Sequence, residues 1–301
     1  MISKDYSAKE IPLFPKLKNR NIFPGEWASI YRGEGVEFAD TKPLEPDDDV
    51  RDIDLRELAK TGQEEIIRRV VERQMKVYVW ADFSGSMQRF EEMFFPAKPE
   101  IRDIAIGLII FSAANLYAPV GFFPFGLERK KFFPPRMGER YCWDIVKWIA
   151  DEKNYNPFSS SGVRSAINSL LRLATPRNMV FFISDFKQMD FEKDFVELLR
   201  PVTGRFDFIP VIVMDPLETS GAIKRPTRIS IRSSGGKTGG EIFCAKETIK
   251  EVQEISRSHL SNLGHNFRKL GIGYLVLNSP SIKDCEKTLT RFFQTRRRAR
   301  R

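Results

Sequence analysis

The five residues Asp82-Phe83-Ser84-Gly85-Ser86 set a carboxylate and two hydroxyls at alternate positions, directly behind the compact apolar run Val77-Tyr-Val-Trp-Ala81. A turn at that point can aim all three oxygens at one spot, and hard oxygens suit an octahedral Mg2+ that keeps some of its waters. Read alone the pattern is equally a polar turn that closes a strand. A second apolar run, Val180-Phe-Phe-Ile183, ends in Ser184-Asp185. A further oxygen cluster, Ser159-Ser160-Ser161-Gly162, stands just ahead of a helical stretch from about Val163, where a helix N-cap is the plainer reading of the serines.

These oxygens need a scaffold that gathers strand ends. Helical periodicity over about 101–117, 140–151, 162–174, 190–200, 246–270 and 281–295 alternates with apolar strand runs at 77–81, 119–125, 179–184, 206–214 and 272–277. Strands that are apolar throughout and alternate with helices predict a mainly parallel sheet covered on both faces. The expectation is therefore an open, doubly wound, Rossmann-like α/β domain over 76–293, with ligands at the carboxyl ends of its strands. Ahead of it, residues 1–75 read as an irregular N-terminal lobe. Its helix is expected over 62–75, from Ile66, Ile67, Val70 and Val71. Residues 217–245 interrupt the alternation as an inserted β-hairpin, with Thr227–Arg232 and Glu241–Phe243 around a Gly-rich turn. The stretch Ile104–Leu127 carries no charge and is long enough to span a bilayer, but Pro119 divides it into a buried helix and a buried strand.

Composition narrows the function classes. With 301 residues, 42% hydrophobic and 30% charged, the chain is neither disordered nor a disulfide scaffold. Six arginines and no acid fall within the last eleven residues, and without them the net charge of +9 drops to +3. Residues 294–301 thus form a basic tail on a nearly neutral body. Such a tail can meet nucleic acid or anionic lipid, and a solvated helix end is the plainer reading. Cys142, Cys244 and Cys285 are odd in number and far apart, and the polar N-terminus contains no apolar signal segment, which together predict reduced thiols and a cytoplasmic protein. His259 and His265 are six apart on a predicted helix and read as surface or packing residues, so no structural zinc is expected. Gly235–Gly240 fails as a phosphate loop because Ile231 stands where the first glycine would be needed, and Gly33-x-Gly35 lacks a third glycine.

Taken together, the loop residues resemble the metal-ion-dependent adhesion site of von Willebrand factor type A domains. The resemblance implies that Asp82, Ser84 and Ser86 form the first loop, Ser161 the second, with Ser159 and Ser160 as alternatives, and Asp185 the third. Arg32-Gly-Glu-Gly-Val-Glu-Phe-Ala-Asp40, Asp48–Arg56, Val213–Glu218 and the terminal Phe292-Phe293 to Arg298 are similar to bacterial domain-of-unknown-function family number fifty-eight. That likeness implies a non-enzymatic adaptor that uses Mg2+ or Mn2+ to capture an acidic side chain of a client protein. It also implies work alongside a MoxR-type AAA+ ATPase in assembling or remodelling clients. The competing reading is a metal-dependent phosphoesterase with Asp82 as nucleophile. Ser84 stands against it, occupying the place where haloacid-dehalogenase-like loops carry a second acid.

Overall fold

The computed structural model describes residues 13, 37–44, 53, 55–63, 65–70, 75–87, 97–128, 131–151, 162–187, 194–219, 227–232, 239–244 and 246–298. The chain divides into two compact units, Ile22–Gln74 and the remainder, Met1–Asn21 with Met75–Arg301.

In the smaller unit, strand β1 (Glu37–Pro43) pairs antiparallel with β2 (Glu65–Val70), and helix α1 (Leu55–Thr61) lies between them in sequence. The helix expected over 62–75 is corrected to a strand. Gly62, the first residue of that segment, adopts φ +73, donates its N–H to Leu58 O and ends α1 there, as left-handed glycines end helices. The β-branched Ile66, Ile67 and Val70 then join a ladder against β1, to which their stiff side chains are better suited.

The larger unit runs β3 (Val77–Asp82), α2 (Ala97–Asn115), β4 (Val120–Phe125), β5 (Phe133–Arg136), α3 (Glu139–Ala150), α4 (Val163–Leu173), β6 (Met179–Ser184), α5 (Asp194–Arg205), β7 (Asp207–Val213) and α6 (Pro216–Thr219). It continues through β8 (Thr227–Arg232), β9 (Gly239–Cys244), α7 (Lys246–Lys269), β10 (Leu275–Leu277) and α8 (Ile282–Arg298). Six strands form one sheet in the order β10-β7-β6-β3-β4-β5, parallel except for β5 at the edge. This is the expected doubly wound α/β fold. The chain leaves β3 toward β4 and β5, then returns to the other side of β3 as β6. The switch in direction between β3 and β6 is where such sheets open a crevice at their carboxyl ends.

Both faces of the sheet are covered. Tyr78, Trp80, Phe182 and Phe208 pack with Ile167, Leu170, Leu199 and Phe267 of α4, α5 and α7. On the other face Phe181 meets Phe293 of α8 edge to face, and Phe122 meets Trp148 of α3. The β8–β9 hairpin matches expectation, with Thr227 opposite Cys244 and Arg232 opposite Gly239. β5 escapes the sequence reading because Pro134 and Pro135 argue against a strand, yet an edge strand tolerates proline. Residues 294–298, read from the sequence as part of a basic tail whose plainer form is a solvated helix end, continue α8. Arg296 pairs with the buried Asp207 at the amino end of β7 and lies 5.1 Å from the Phe292 ring.

Candidate functional site

Asp82 is the last residue of β3, and Asp185 follows the last residue of β6, so the switch point sets the two acids side by side. Behind Asp82 the chain turns sharply. The Ser84 N–H donates to Asp82 Oδ1 at 2.9 Å, and the Met87 N–H donates to Ser84 O at 2.8 Å. That winding brings Ser84 Oγ and Ser86 Oγ within 3.4 Å, close to the roughly 3.0 Å edge expected between neighbouring ligands of an octahedral ion held at about 2.1 Å. Ser84 is buried and Ser86 half-buried, which leaves the loop open on the Ser86 side. Gly126, at φ +77, makes room for the turn, because a Cβ there would stand 2.7 Å from Ser84 N. Arg102 braces the loop from within. Its guanidinium donates to Asp82 O at 3.2 Å and Met87 O at 2.6 Å and lies 3.7 Å from the Phe83 ring centroid.

Asp185 is held from several sides. Oδ1 accepts the Lys187 N–H at 3.2 Å, Oδ2 accepts the Lys98 ammonium at 3.1 Å, and the backbone carbonyl accepts His259 Nε2–H at 2.9 Å. Lys98 also lies 3.2 Å from Glu218 Oε1, and Lys187 pairs with the same carboxylate. Phe186, the residue after Asp185, adopts φ +54, a backbone strain that this web of bonds maintains. Ser184 links the two strand ends. Its hydroxyl donates to Asp82 Oδ2 at 2.7 Å and accepts the Phe186 N–H at 3.0 Å.

The charges divide the acids. Burial, and then the nearby charge of Asp185, push Asp82 up to about 6, against the pull of its hydrogen bonds from Ser84 and Ser184. Burial would raise Asp185 as well, but the Lys98 ammonium, with the backbone N–H and charge of Lys187, outweighs it and holds the group below the usual carboxylate range. Glu218 behaves the same way, with burial outweighed by Lys98 and Lys187. Lys98 is buried, yet these two carboxylates keep it charged well above its ordinary range.

Asp82 therefore differs from its neighbours. Its carboxylate is fully buried and accepts from neutral donors, the Ser84 N–H and the Ser184 hydroxyl, and among the described residues no cationic side chain pairs with that carboxylate. The donors at hand, carboxylate and hydroxyl oxygens, are of the kind that suit Mg2+ or Mn2+. Among the described residues no group of three or more His, Cys, Asp or Glu is placed to hold a metal, so hydroxyls and water would have to complete the shell. The structure brings together Asp82, Ser84, Ser86 and Asp185. Ser159, Ser160 and Ser161 lie outside the described residues; α4 begins after Gly162, which makes no side-chain cap. Six participants had no role in the sequence reading: Lys98, Arg102, Ser184, Lys187, Glu218 and His259. Only Ser184 carried a signal, its place at the end of an apolar strand.

Residues 40–223 match the family described as "Protein of unknown function DUF58". An uncharacterized protein of Mycobacterium tuberculosis and one of Mycobacterium bovis are each 22% identical over 299 residues, spanning 96% of this chain and 89% of the relative. Among solved structures, the conserved hypothetical protein BatB from Bacteroides thetaiotaomicron is similar at TM-score 0.42 and 13% identity, over 74% of this chain and 99% of that one. An aerotolerance-related membrane protein from Bacteroides fragilis is similar at TM-score 0.41 and 13% identity, over 73% of this chain and 99% of that one.

Proposed function

We propose a divalent-cation-dependent protein-binding role for this chain, which belongs to the DUF58 family of proteins of unknown function. The observation that carries the reading is the buried Asp82 carboxylate, held only by neutral donors beside two serine hydroxyls. Asp82, Ser84 and Ser86 would hold Mg2+ or Mn2+, with Ser161 and Asp185 completing the site as in the von Willebrand factor type A arrangement it resembles. When bound, the ion supplies an electrophilic centre for a carboxylate from another protein.

The surrounding charges favour such a partner. Asp82, Asp185 and Glu218 against Lys98 and Lys187 leave one negative charge, and a divalent ion turns that into one positive. A site in that state attracts an acidic side chain of a client protein. The role is non-enzymatic, since both Asp82 oxygens are hydrogen-bonded and the side chain is fully buried, which weighs against nucleophilic attack on a phosphoester. The partner that family resemblance implies is a MoxR-type AAA+ ATPase engaged in assembly or remodelling. A cytoplasmic location accords with the free, buried Cys142 and Cys285. Among the described residues no helix is long and apolar enough to cross a membrane.

The test is capture of the host's MoxR-type ATPase on immobilised wild-type chain and on Asp82→Ala, each in Mg2+ and in EDTA. Retention by the wild type in Mg2+ alone supports the role. Equal retention in all four arms rejects it.

A further inference from the structure

The end of the main sheet opposite the cation site carries a different surface. The amino ends of β3, β4, β6 and β7 lie there, and the helices that run antiparallel to the strands bring their last turns to the same end. Those turns present Arg172 of α4, Arg205 of α5, Arg268 of α7 and Arg298 of α8, all exposed. A helix dipole favours a cation in a last turn, so each of these alone has a local explanation. Two further exposed arginines do not. Arg177 stands in the turn before β6, its backbone N–H donating to Arg205 O at 2.7 Å. Arg140 lies in the first turn of α3, which starts at this end because β5 descends to it, with Arg136 opposite Val120. There the dipole disfavours a cation, although Glu139 beside it offsets one charge. What these arginines share is the end of the sheet they occupy, not a position in a helix.

Three large apolar side chains are exposed at the same end. Tyr117, between α2 and β4, is 61% exposed; Met137, just after β5, is 54% exposed; and Leu173, the last residue of α4, is 43% exposed. Guanidinium groups interspersed with exposed Tyr, Met and Leu match an anionic bilayer surface, where arginines meet phosphates and the apolar groups enter the interface. A nucleic acid would satisfy the arginines but give Met137 and Leu173 no base face to cover them. We propose that this end of the larger unit is a docking face for an anionic phospholipid bilayer, with the cation site at the far end of the same sheet. This inference is independent of the role proposed for Asp82.

The test is co-sedimentation of the full chain with phosphatidylcholine vesicles, with and without phosphatidylglycerol. The expected result is binding only when phosphatidylglycerol is present, weakened by salt. Because each basic group near such a surface is worth about 1 kcal/mol, the triple variant Arg172→Glu, Arg177→Glu, Arg205→Glu should bind more than about a hundredfold more weakly. A Tyr117→Ser, Leu173→Ser variant should lose affinity with its salt dependence intact. All these positions are exposed, and matching circular dichroism melts confirm that the variants fold. Arg257→Glu, on the exposed face of α7 away from this end, should bind as the wild type does. Four results would each overturn the proposal: no binding to phosphatidylglycerol vesicles, equal binding to both vesicle types, wild-type binding by the triple variant, or equal loss in Arg257→Glu. Retention on duplex DNA without vesicle binding would reassign the face to nucleic acid.

Discussion

Ser184 Oγ donates to Asp82 Oδ2 across 2.7 Å, so the hydroxyl that ends β6 holds the carboxylate that ends β3. The same oxygen accepts the Phe186 N–H at 3.0 Å, in the strained turn that carries Asp185. One side chain thus aligns both acids of the candidate site. Ser184→Ala would leave a buried acceptor and a buried donor without partners, at a cost of about 1–3 kcal/mol in folding free energy. Urea denaturation measures this directly, and a variant within a few tenths of a kcal/mol of wild type would remove Ser184 from the framework.

Asp82 gives the metal-free protein a distinctive pH dependence. Its folded value of about 6 lies above the roughly 3.9 of an unfolded aspartate, so between these values the folded state binds more protons than the unfolded one. Stability falls as pH rises through that window, and above it the buried charge costs about 3 kcal/mol. Asp82→Asn removes the charge at the expense of one hydrogen bond. In chelator at pH 7 the variant is expected to be about 2 kcal/mol more stable than wild type, with the gap closing near pH 4. Thermal melts across that range decide the matter, and a less stable Asp82→Asn protein at pH 7 would contradict the electrostatic account.

Lys98 acts in the opposite direction. The values of Asp185 and Glu218 are depressed, so their contribution is present above the unfolded carboxylate pKa and is lost as pH falls through the folded one. Lys98→Met strands Asp185 without its ammonium and should destabilise by about 3 kcal/mol or more at pH 7, less at pH 4.5, where the orphaned carboxyl takes up a proton. Lys187, whose side chain is 39% exposed, makes the second contact to Glu218, and Lys187→Met should cost no more than about 1 kcal/mol. Guanidinium titrations of both variants at the two pH values test the contrast, and equal costs would mean that burial does not govern the cluster.

Much of this arrangement is legible in the residues themselves. The unbroken apolar runs of β3 and β6 mark buried parallel strands, and each closes with oxygen-bearing residues at the candidate site, Asp82 in one and Ser184-Asp185 in the other. Lys98 is not legible. It sits in the first turn of a long apolar helix, and only the tertiary fold brings its ammonium to carboxylates 87 and 120 positions away in the chain. His259 is hidden for the same reason, since its partner is a backbone carbonyl 74 residues distant. The β2 segment misleads because Ile66, Ile67 and Val70 satisfy helical spacing; Gly62, at the start of the expected helix, ends α1 there, and the partner strand β1 that pairs with the segment lies outside that stretch.

The most direct test of the account is isothermal titration calorimetry of Mg2+ and Mn2+ into metal-free wild-type chain and into Asp82→Ala. The account predicts saturable binding to one site in the wild type and none in Asp82→Ala, with the variant retaining a cooperative thermal transition. Equal binding by both proteins, or no binding by the wild type, would contradict it.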